Sequence, residues 1–328
     1  MLQYIIRRIF LMIPTVFIIS IIVFFIIQLP PGDFLTTLVS AMASQGETVD
    51  QTALQALRDQ YGLGQPIYVQ YYKWMSNILL HGDFGQSFEY NRPVSSLIGS
   101  RMALTMVISI FSLFVTWIIA FPIGIFSAVR KYSIGDYIFT LISFIGLAIP
   151  EFMLALVLMY ISFKYLNQSV GGLFSPQYVD AAWSFGKILD LLQHMWIPVI
   201  IIGAASTAGL VRILRANLLD ELNKPYVVTA RAKGLPERKL LLKYPVRLAL
   251  NPFISTVGWI LPGIFSGEAI IGIVLSLPTE GPLLLHALES QDMYLAGSLI
   301  FLLTILTVVG TLLSDIALAI LDPRIRYQ

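Results

Sequence analysis

Residues 9–29 read IFLMIPTVFIISIIVFFIIQL, an apolar run that contains no charged side chain. A helix crosses the hydrocarbon core of a bilayer in about 20 residues, so this run is long enough to span a membrane. Arg7 and Arg8 precede it, as in a signal peptide, but no small-residue cleavage site follows. We therefore interpret the run as a retained first transmembrane helix.

Five further apolar runs follow along the chain, and each predicts another membrane-spanning helix. They lie near residues 103–129, 137–163, 195–214, 249–275 and 296–321. The composition agrees, because 57% of the 328 residues are hydrophobic. Charged residues make up 12%, about half the share found in a soluble domain. We expect an all-α polytopic membrane protein with six transmembrane helices.

The composition also limits the chemistry that this chain can carry. It contains no cysteine, which excludes disulfides, cysteine metal sites and a cysteine nucleophile. The net charge of +2 gives no reason to expect a nucleic-acid partner. Neither a His-Glu-x-x-His metal motif nor a Gly-x-Ser-x-Gly nucleophile elbow is present. We expect no catalytic residue, no metal site and no bound cofactor.

The distribution of lysine and arginine predicts the orientation of the helices, because these residues concentrate in cytoplasmic loops. With the N-terminus inside, 15 of the 21 lysines and arginines fall in cytoplasmic segments. The predicted outer hairpin 276–295 instead carries Glu280, Glu289 and Asp292 and no lysine or arginine. Both termini are therefore predicted to be cytoplasmic.

The predicted outer segment 30–102 is too long to be a simple turn. Its apolar residues recur at helical spacing at Leu54, Leu57 and Tyr61. Aromatic residues also cluster there, as they do at membrane interfaces: Tyr68, Tyr71, Tyr72 and Trp74. We expect short helices that form an external cap. The chain then divides into a first helix with its N-terminus (1–29), the cap (30–102), a core of five helices (103–321) and a cytoplasmic tail (322–328).

Many of the basic residues lie in the predicted cytoplasmic loop 212–247. Pro225 suits the first position of a helix, and Gly234 suits the position just past a helix end. They predict a short helix over 225–233 with Tyr226, Ala230 and Gly234 on one side. A second helix is expected to begin at Pro236 and to continue towards the fifth span. The short helix could dock into a partner's groove, or its cations could contact anionic lipid.

Residues 229–235 read TARAKGL and are similar to the signature of permease subunits in the peptide and nickel class of ATP-binding-cassette importers. The signature is that class's version of the cytoplasmic EAA loop, and Val228 stands where the wider consensus has glutamate. Other segments resemble the same class in order along nearly the whole chain: residues 4–8, 29–33, 57–63, 69–74, 81–87 and 321–327. The long outer segment resembles that of B-type dipeptide and oligopeptide permeases.

The resemblance implies a type I importer permease fold in a bacterial or archaeal cytoplasmic membrane. It implies three kinds of partner besides lipid: a second homologous permease, two ATP-binding subunits and an extracytoplasmic substrate-binding protein. The partner subunits would bind ATP and magnesium, since this chain has no Gly-rich phosphate loop. The coupling residues implied are Tyr226, Thr229, Ala230, Arg231, Ala232, Lys233, Gly234 and Leu235.

The sequence leaves the substrate open between peptides and oligosaccharides. Peptide permeases usually carry an aromatic-Trp-Pro-Gly-Leu-Gly run in the outer hairpin, whereas residues 277–282 read LPTEGP. A secondary transporter or a channel would also have these spans but would not need the docking signature. Secondary transporters more often show inverted repeats, and none is evident in this sequence.

Two carboxylates fall inside predicted spans, at Glu151 and Glu268. A charge at the bilayer centre costs about 2.5–3.5 kcal/mol on insertion scales, and such groups usually face the bundle interior or water. Both are therefore candidates for the translocation pathway, and the alternative is a hydrogen bond to a neighbouring helix. For Asp315 and His194 we expect structural roles.

Overall fold

A computed structural model of the protein describes residues 2–29, 65–87, 89–166, 171–251 and 269–321. The described residues form long helices, short connecting helices and one small antiparallel hairpin. In chain order the elements are α1 (Leu2–Ile27), α2 (Ile67–Ser76) with a π-helical turn (Asn77–His81), β1 (Gln86–Ser87), β2 (Arg92–Pro93), α3 (Val94–Val129), α4 (Ile134–Ala148), α5 (Glu151–Leu166), α6 (Phe185–Leu222), α7 (Pro225–Ala232), α8 (Glu237–Lys243), α9 (Pro245–Ala249), α10 (Glu280–Glu289) and α11 (Met293–Leu321).

Within the described ranges, four helices are long and apolar enough to cross a membrane: α1, α3, α6 and α11. The pair α4 and α5 makes a fifth candidate span, bent by 102° between its two helices. The predicted span 249–275 lies largely outside the described residues, although residues 269–274 are helical. The predicted all-α polytopic class is confirmed. Helix α3 begins nine residues before the predicted span at 103.

The third predicted span is not one continuous helix, which corrects the expectation for residues 137–163. Helix α4 ends at Ala148, and Ile149 is extended, with φ −82° and ψ 121°. A proline disfavours helical backbone at the residue before it, so Pro150 accounts for the break. Helix α5 then begins at Glu151.

Contacts within the chain divide it into two compact units. The loop unit comprises Met1–Ile9, Thr105–Pro278 and Thr307–Gln328 and contains the basic loop. The hairpin unit comprises Phe10–Leu104 and Thr279–Leu306 and contains the β1–β2 hairpin.

Helix α6 is the centre of the loop unit and packs against α4, α5 and α9. Its Leu214 is fully buried and lies so close to α3 that a Cβ added at Gly124 would be 3.0 Å from the leucine side chain. A Cβ added at Gly146 of α4 would lie 3.6 Å from the Ala204 carbonyl oxygen of α6. Glycine at these positions therefore allows the close helix packing that membrane bundles favour.

The structural roles expected for His194 and Asp315 agree with their contacts. His194 Nδ1 lies 2.8 Å from the Asp190 carbonyl oxygen, and Asp315 lies 3.3 Å from the Arg8 guanidinium. Asp190 also accepts hydrogen bonds from the Ser175 backbone N–H at 2.8 Å and the Ser175 hydroxyl at 2.6 Å. These bonds hold the connection between α5 and α6 against the start of α6.

Two apolar clusters hold the hairpin unit together, and α11 contributes to both. The first joins α3, α10 and α11 through Val94, Ile98, Leu283, Ala287, Leu295, Ala296 and Leu299. The second joins α1, α2 and α11 through Phe24, Ile27, Trp74, Met75, Ile78 and Phe301. The part of the predicted external cap that the structure describes is therefore packed onto spanning helices.

Asp292 is fully buried at the start of α11. Its carboxylate accepts hydrogen bonds from the Ser87 hydroxyl at 2.5 Å and the Glu89 backbone N–H at 3.3 Å. It also accepts the Leu295 backbone N–H at 3.2 Å, the bond of a helix N-cap. Asp292, one of the three acidic residues of the predicted outer hairpin, thus caps α11 and anchors the β1–β2 hairpin.

Glu280 begins α10 and is only 3% exposed. Burial raises the pKa of its carboxyl from 4.5 to about 7. Because the folded pKa lies above the unfolded value, the contribution of Glu280 to stability is fully present below pH 4.5 and is lost as the pH rises through 7.

We expect Glu280→Gln to stabilise the protein most at high pH, because glutamine cannot ionise in this buried position. A pKa displaced by this much corresponds to about 3 kcal/mol above pH 7, or a melting temperature raised by about 5 °C. Thermal unfolding of the purified protein at pH 5 and pH 8.5 measures the effect. Glu289→Gln on the same helix is the control, since Glu289 is exposed. An equal gain at both pH values would contradict the prediction.

Candidate functional site

The short helix predicted in the basic loop is present as α7, and its two ends follow the predicted capping residues. Pro225 occupies the first helical turn after an extended Lys224. At the other end Gly234 has φ +76°, its N–H donates to the Arg231 carbonyl at 3.0 Å, and the Leu235 N–H donates to the Ala230 carbonyl at 3.3 Å. These bonds form a Schellman motif, which ends the helix where glycine can turn the chain.

One face of α7 packs inward onto the rest of the loop. Val227 and Ala230 are buried with Leu240 of α8. Three half-buried side chains pack around them: Tyr226, Leu235 and Tyr244. Of the three residues predicted to share one side, Tyr226 and Ala230 therefore point into the loop's own small core, whereas Gly234 is exposed.

Tyr226 fastens α7 to the end of α6. Its hydroxyl donates a hydrogen bond of 2.5 Å to Glu221 Oε2. Burial, together with this hydrogen bond and the negative charge of Glu221, raises the pKa of Tyr226. The phenol stays protonated at neutral pH and remains the donor in this bond.

The opposite face of α7 is exposed and consists of small or apolar residues. Val228 and Ala232 are spaced four residues apart on this face, and both are exposed with Thr229 between them. Val228 is 57% exposed. Val228 was not among the predicted coupling residues, although its spacing from Ala232 follows helical periodicity.

The basic residues at the end of α7 are also exposed, but Arg231 already has a partner. Its Nε atom lies 2.6 Å from Glu237 Oε1, and both side chains are about half exposed. Exposed ion pairs of this kind contribute about 0–1 kcal/mol. Lys233 and Gly234 complete the exposed end of the helix.

The second predicted helix does not continue unbroken towards the fifth span, which corrects the sequence prediction. Helix α8 ends at Lys243, and α9 begins at Pro245. Proline lacks the N–H needed inside a helix, so the chain bends at Tyr244. Val246 and Ala249 of α9 are buried in a cluster with α6 and α3, and this contact anchors the loop from its far side.

Sequence reasoning missed an ion pair near the loop. Arg215 of α6 donates from Nε to Asp136 Oδ1 and from Nη2 to Asp136 Oδ2, both at 2.8 Å. Asp136 lies in the first turn of α4 and is 2% exposed. The Tyr132 N–H also donates to its Oδ2 at 2.9 Å. The pair fixes the start of α4 to the helix that leads into α7.

The sequence contained a partial signal for this pair. Ser133 and Asp136 have the spacing of a helix-capping motif, and the Ser133 hydroxyl accepts the Asp136 N–H at 3.2 Å. Arg215, however, could be assigned only to the excess of positive charge on the cytoplasmic side.

The structure describes one of the two pathway candidates. Glu151 is half-buried and lies at the break between α4 and α5, instead of inside a continuous helix as predicted. Glu268 lies outside the described residues.

Comparison with known proteins gives two matching family models. Residues 120–327 match the binding-protein-dependent transport system inner membrane component. Residues 1–110 match the N-terminal part of such membrane components.

Three curated relatives are similar over essentially their whole length. The chain is 36% identical to the oligopeptide transport system permease protein AppB of Bacillus subtilis, covering 100% of both chains. It is 31% identical to a putative peptide permease protein of Brucella ovis, over 99% of both. It is also 31% identical to the glutathione transport system permease protein GsiC of Escherichia coli K12, over 100% of both.

Proposed function

Because this chain belongs to the family of binding-protein-dependent transport system inner membrane components, we propose that its basic loop docks onto an ATP-binding subunit. The chain is a multi-pass permease subunit of an ATP-driven importer in the bacterial cytoplasmic membrane, and it is not an enzyme. As a permease of this kind it works with a partner permease, ATP-binding subunits and a substrate-binding protein.

The observation that carries the docking proposal is the two-faced character of α7. Its inward face is held by Val227, Ala230 and Leu240, so the helix presents its other face as a rigid unit. That outward face has small side chains at Thr229 and Ala232 and an exposed apolar side chain at Val228. A shallow apolar ridge of this kind fits into a groove on a partner protein.

The proposed coupling residues then divide into two groups. Thr229, Arg231, Ala232, Lys233 and Gly234 are exposed and would contact the ATP-binding subunit. Tyr226, Ala230 and Leu235 would not touch that subunit and would instead hold α7 in place through the small core of the loop. Val228 joins the contacting group.

In this proposal two ATP-binding subunits serve one copy of this chain and one homologous second permease. ATP and magnesium bind to those subunits, and their closure pulls on α7. Two residues separate the end of α6 from the start of α7, so a displacement of α7 would be transmitted to the helix bundle. Alternating access then follows from rigid-body motion of helices.

We place the basic loop, both termini and the tail 322–328 on the cytoplasmic side, with residues 30–102 forming the external part and residues 103–321 the core. Glu151 is proposed to line the pathway, because breaks in spanning helices are tolerated where the backbone faces protein or water. Glu268 is proposed for the same role.

We favour peptides over oligosaccharides as the substrate. The named relatives are permeases for oligopeptides and glutathione and a putative peptide permease, and each aligns with this chain from end to end. A substrate contact of this chain would be made within the spanning helices, whereas the delivering protein would select the ligand.

The test is uptake by the assembled importer in proteoliposomes, with ATP inside and the binding protein outside. We expect uptake of labelled di- to pentapeptides that needs both ATP and the binding protein, and no uptake of oligosaccharides. Uptake driven by an ion gradient without ATP would contradict the importer mechanism. Transport of oligosaccharides but not peptides would contradict the substrate assignment alone.

A further inference from the structure

Helix α2 and its π-helical turn carry apolar side chains on both faces. The outward side chains are among the most exposed large ones in the described part of the chain: Tyr68 at 73%, Tyr72 at 72%, Leu79 at 72% and Leu80 at 76%. Tyr68 and Tyr72 are one helical turn apart, so they share a face. Soluble surfaces rarely leave such contiguous apolar patches uncovered.

The opposite face of α2 is packed onto spanning helices. Trp74 and Ile78 are buried in a cluster with Phe24 and Ile27 of α1 and Phe301 of α11. Tyr71 is joined to α1 through its hydroxyl, which lies 2.8 Å from the Ser20 hydroxyl oxygen, and its ring packs edge-on against Phe24. The position of α2 relative to α1 is thus set by several side chains.

These contacts place part of α2 at membrane depth. Ser20 lies seven residues before the end of α1 at Ile27, which corresponds to about 10 Å along a helix that rises about 1.5 Å per residue. Half the hydrocarbon core of a bilayer is about 15 Å thick. If α1 ends at the outer surface of that core, Tyr71 reaches its partner well inside the outer leaflet.

Other faces of α1 at this level of the membrane are themselves apolar and exposed. Ile18, Ile22 and Phe25 are 56%, 49% and 53% exposed on a helix that crosses the membrane. Both helices therefore leave apolar side chains exposed at the same level of the membrane. Residues 67–81 also contain no carboxylate, and Lys73 is half-buried, so the outward face formed by Tyr68, Tyr72, Leu79 and Leu80 carries no charge that would oppose contact with lipid.

We propose that α2 and its π-helical turn lie in the outer leaflet of the membrane, with Tyr68, Tyr72, Leu79 and Leu80 in contact with lipid. The tyrosines suit the interface between headgroups and acyl chains. This proposal rests on the membrane location of the chain and is independent of the docking of its loop. In this position the segment supports the outer end of α1 from within the outer leaflet and does not form a cap surrounded by water.

The chain contains no native cysteine, so single cysteines can be introduced at Tyr72 and Leu79 and labelled with a nitroxide spin label. Power-saturation electron spin resonance on the assembled transporter in proteoliposomes compares collisions with oxygen, which concentrates in lipid, and with a water-soluble nickel chelate. Phe25→Cys is the lipid reference, and Arg92→Cys on the exposed β2 strand is the water reference.

We expect labels at Tyr72 and Leu79 to collide with oxygen several-fold more than with the chelate, as at Phe25. Chelate collisions as frequent as at Arg92 would overturn the proposal by showing a water-facing helix. Low collision rates with both reagents would overturn it by showing a protein partner. Because all these side chains are exposed, the substitutions leave the buried clusters intact, and Tyr68→Cys and Leu80→Cys repeat the measurement independently.

Discussion

Replacing Ala232 with glutamate is expected to abolish ATP-driven uptake while leaving the chain folded. Ala232 lies on the exposed face of α7 beside Val228 and Thr229, and in the proposed complex this face enters a groove on the ATP-binding subunit. Burying an unpaired carboxylate there costs about 2 kcal/mol or more, which weakens docking about 30-fold or more. Affinity for the purified ATP-binding subunit and peptide-stimulated ATP hydrolysis both measure the effect.

Two variants at the same position separate the reasons for such a loss. Ala232→Ser keeps a small side chain and should retain docking within about threefold, because it leaves the volume of the ridge nearly unchanged. Ala232→Gln adds the bulk of glutamate without its charge and should give an intermediate loss. If Ala232→Glu supported normal docking and uptake, α7 would not be the coupling helix.

The folded state should be insensitive to Ala232→Glu, since the side chain makes no part of the buried cluster of the loop. An unchanged melting temperature of the isolated chain checks this point. A matching fall in melting temperature and docking would mean that the substitution acts on the loop's fold, which would contradict the interpretation of this face as a contact surface.

Asp136→Asn is expected to destabilise the loop unit by about 3 kcal/mol, because it leaves the Arg215 guanidinium without its carboxylate in a largely buried site. Asp136 is 2% exposed, and both of its oxygens accept from Arg215 at 2.8 Å. Asparagine keeps the size of the side chain but loses its charge and one acceptor. Thermal unfolding of the purified chain and denaturant titration measure the loss.

Glu237→Gln is the matched control for this experiment. It removes the charge from another ion pair, between Arg231 and Glu237, whose side chains are 51% and 56% exposed. Its cost should stay below about 1 kcal/mol. Equal losses of stability from the two substitutions would show that the Asp136–Arg215 pair stabilises the fold no more than an exposed ion pair does.

Asp136→Asn also offers a functional readout. The pair connects the start of α4 to α6, and α6 leads directly into the loop helix. With the pair broken, motion of α7 should be transmitted less completely to α4, so we expect fewer peptides transported per ATP hydrolysed at a temperature where the variant is folded. An unchanged ratio would limit the pair to stability.

The sequence predicted α7 well, because helix ends depend on local chemistry. Pro225 and Gly234 bracket the helix through a missing N–H and a left-handed backbone, properties that each residue carries into any fold. The predicted helix over 225–233 ends one residue later than the observed one. The apolar spans were predicted for a similar reason, since length and hydropathy are sums over neighbouring residues.

Other features of the fold could not be predicted from neighbouring residues in the sequence. The break of the third span at Pro150 was missed because prolines also occur inside the unbroken helices α1, α3 and α6. The outcome depends on whether neighbouring helices compensate for the lost hydrogen bond. The partners of Arg215 and Asp292 lie 79 and 205 residues away in the chain, so no local pattern could identify them.

Hydropathy and helix capping act over a few neighbouring residues, so the amino-acid sequence alone predicted a polytopic helical membrane protein and the ends of its short loop helix. The permease class was indicated by the resemblance of residues 229–235 and the other matching segments. Which face of α7 is available to a partner depends on tertiary packing, since Ala230 and Ala232 are chemically identical and differ in whether another side chain covers them. Burial of Ala230 against Leu240 requires the chain to fold back on itself, and this contact leaves Ala232 and Val228 on the outside.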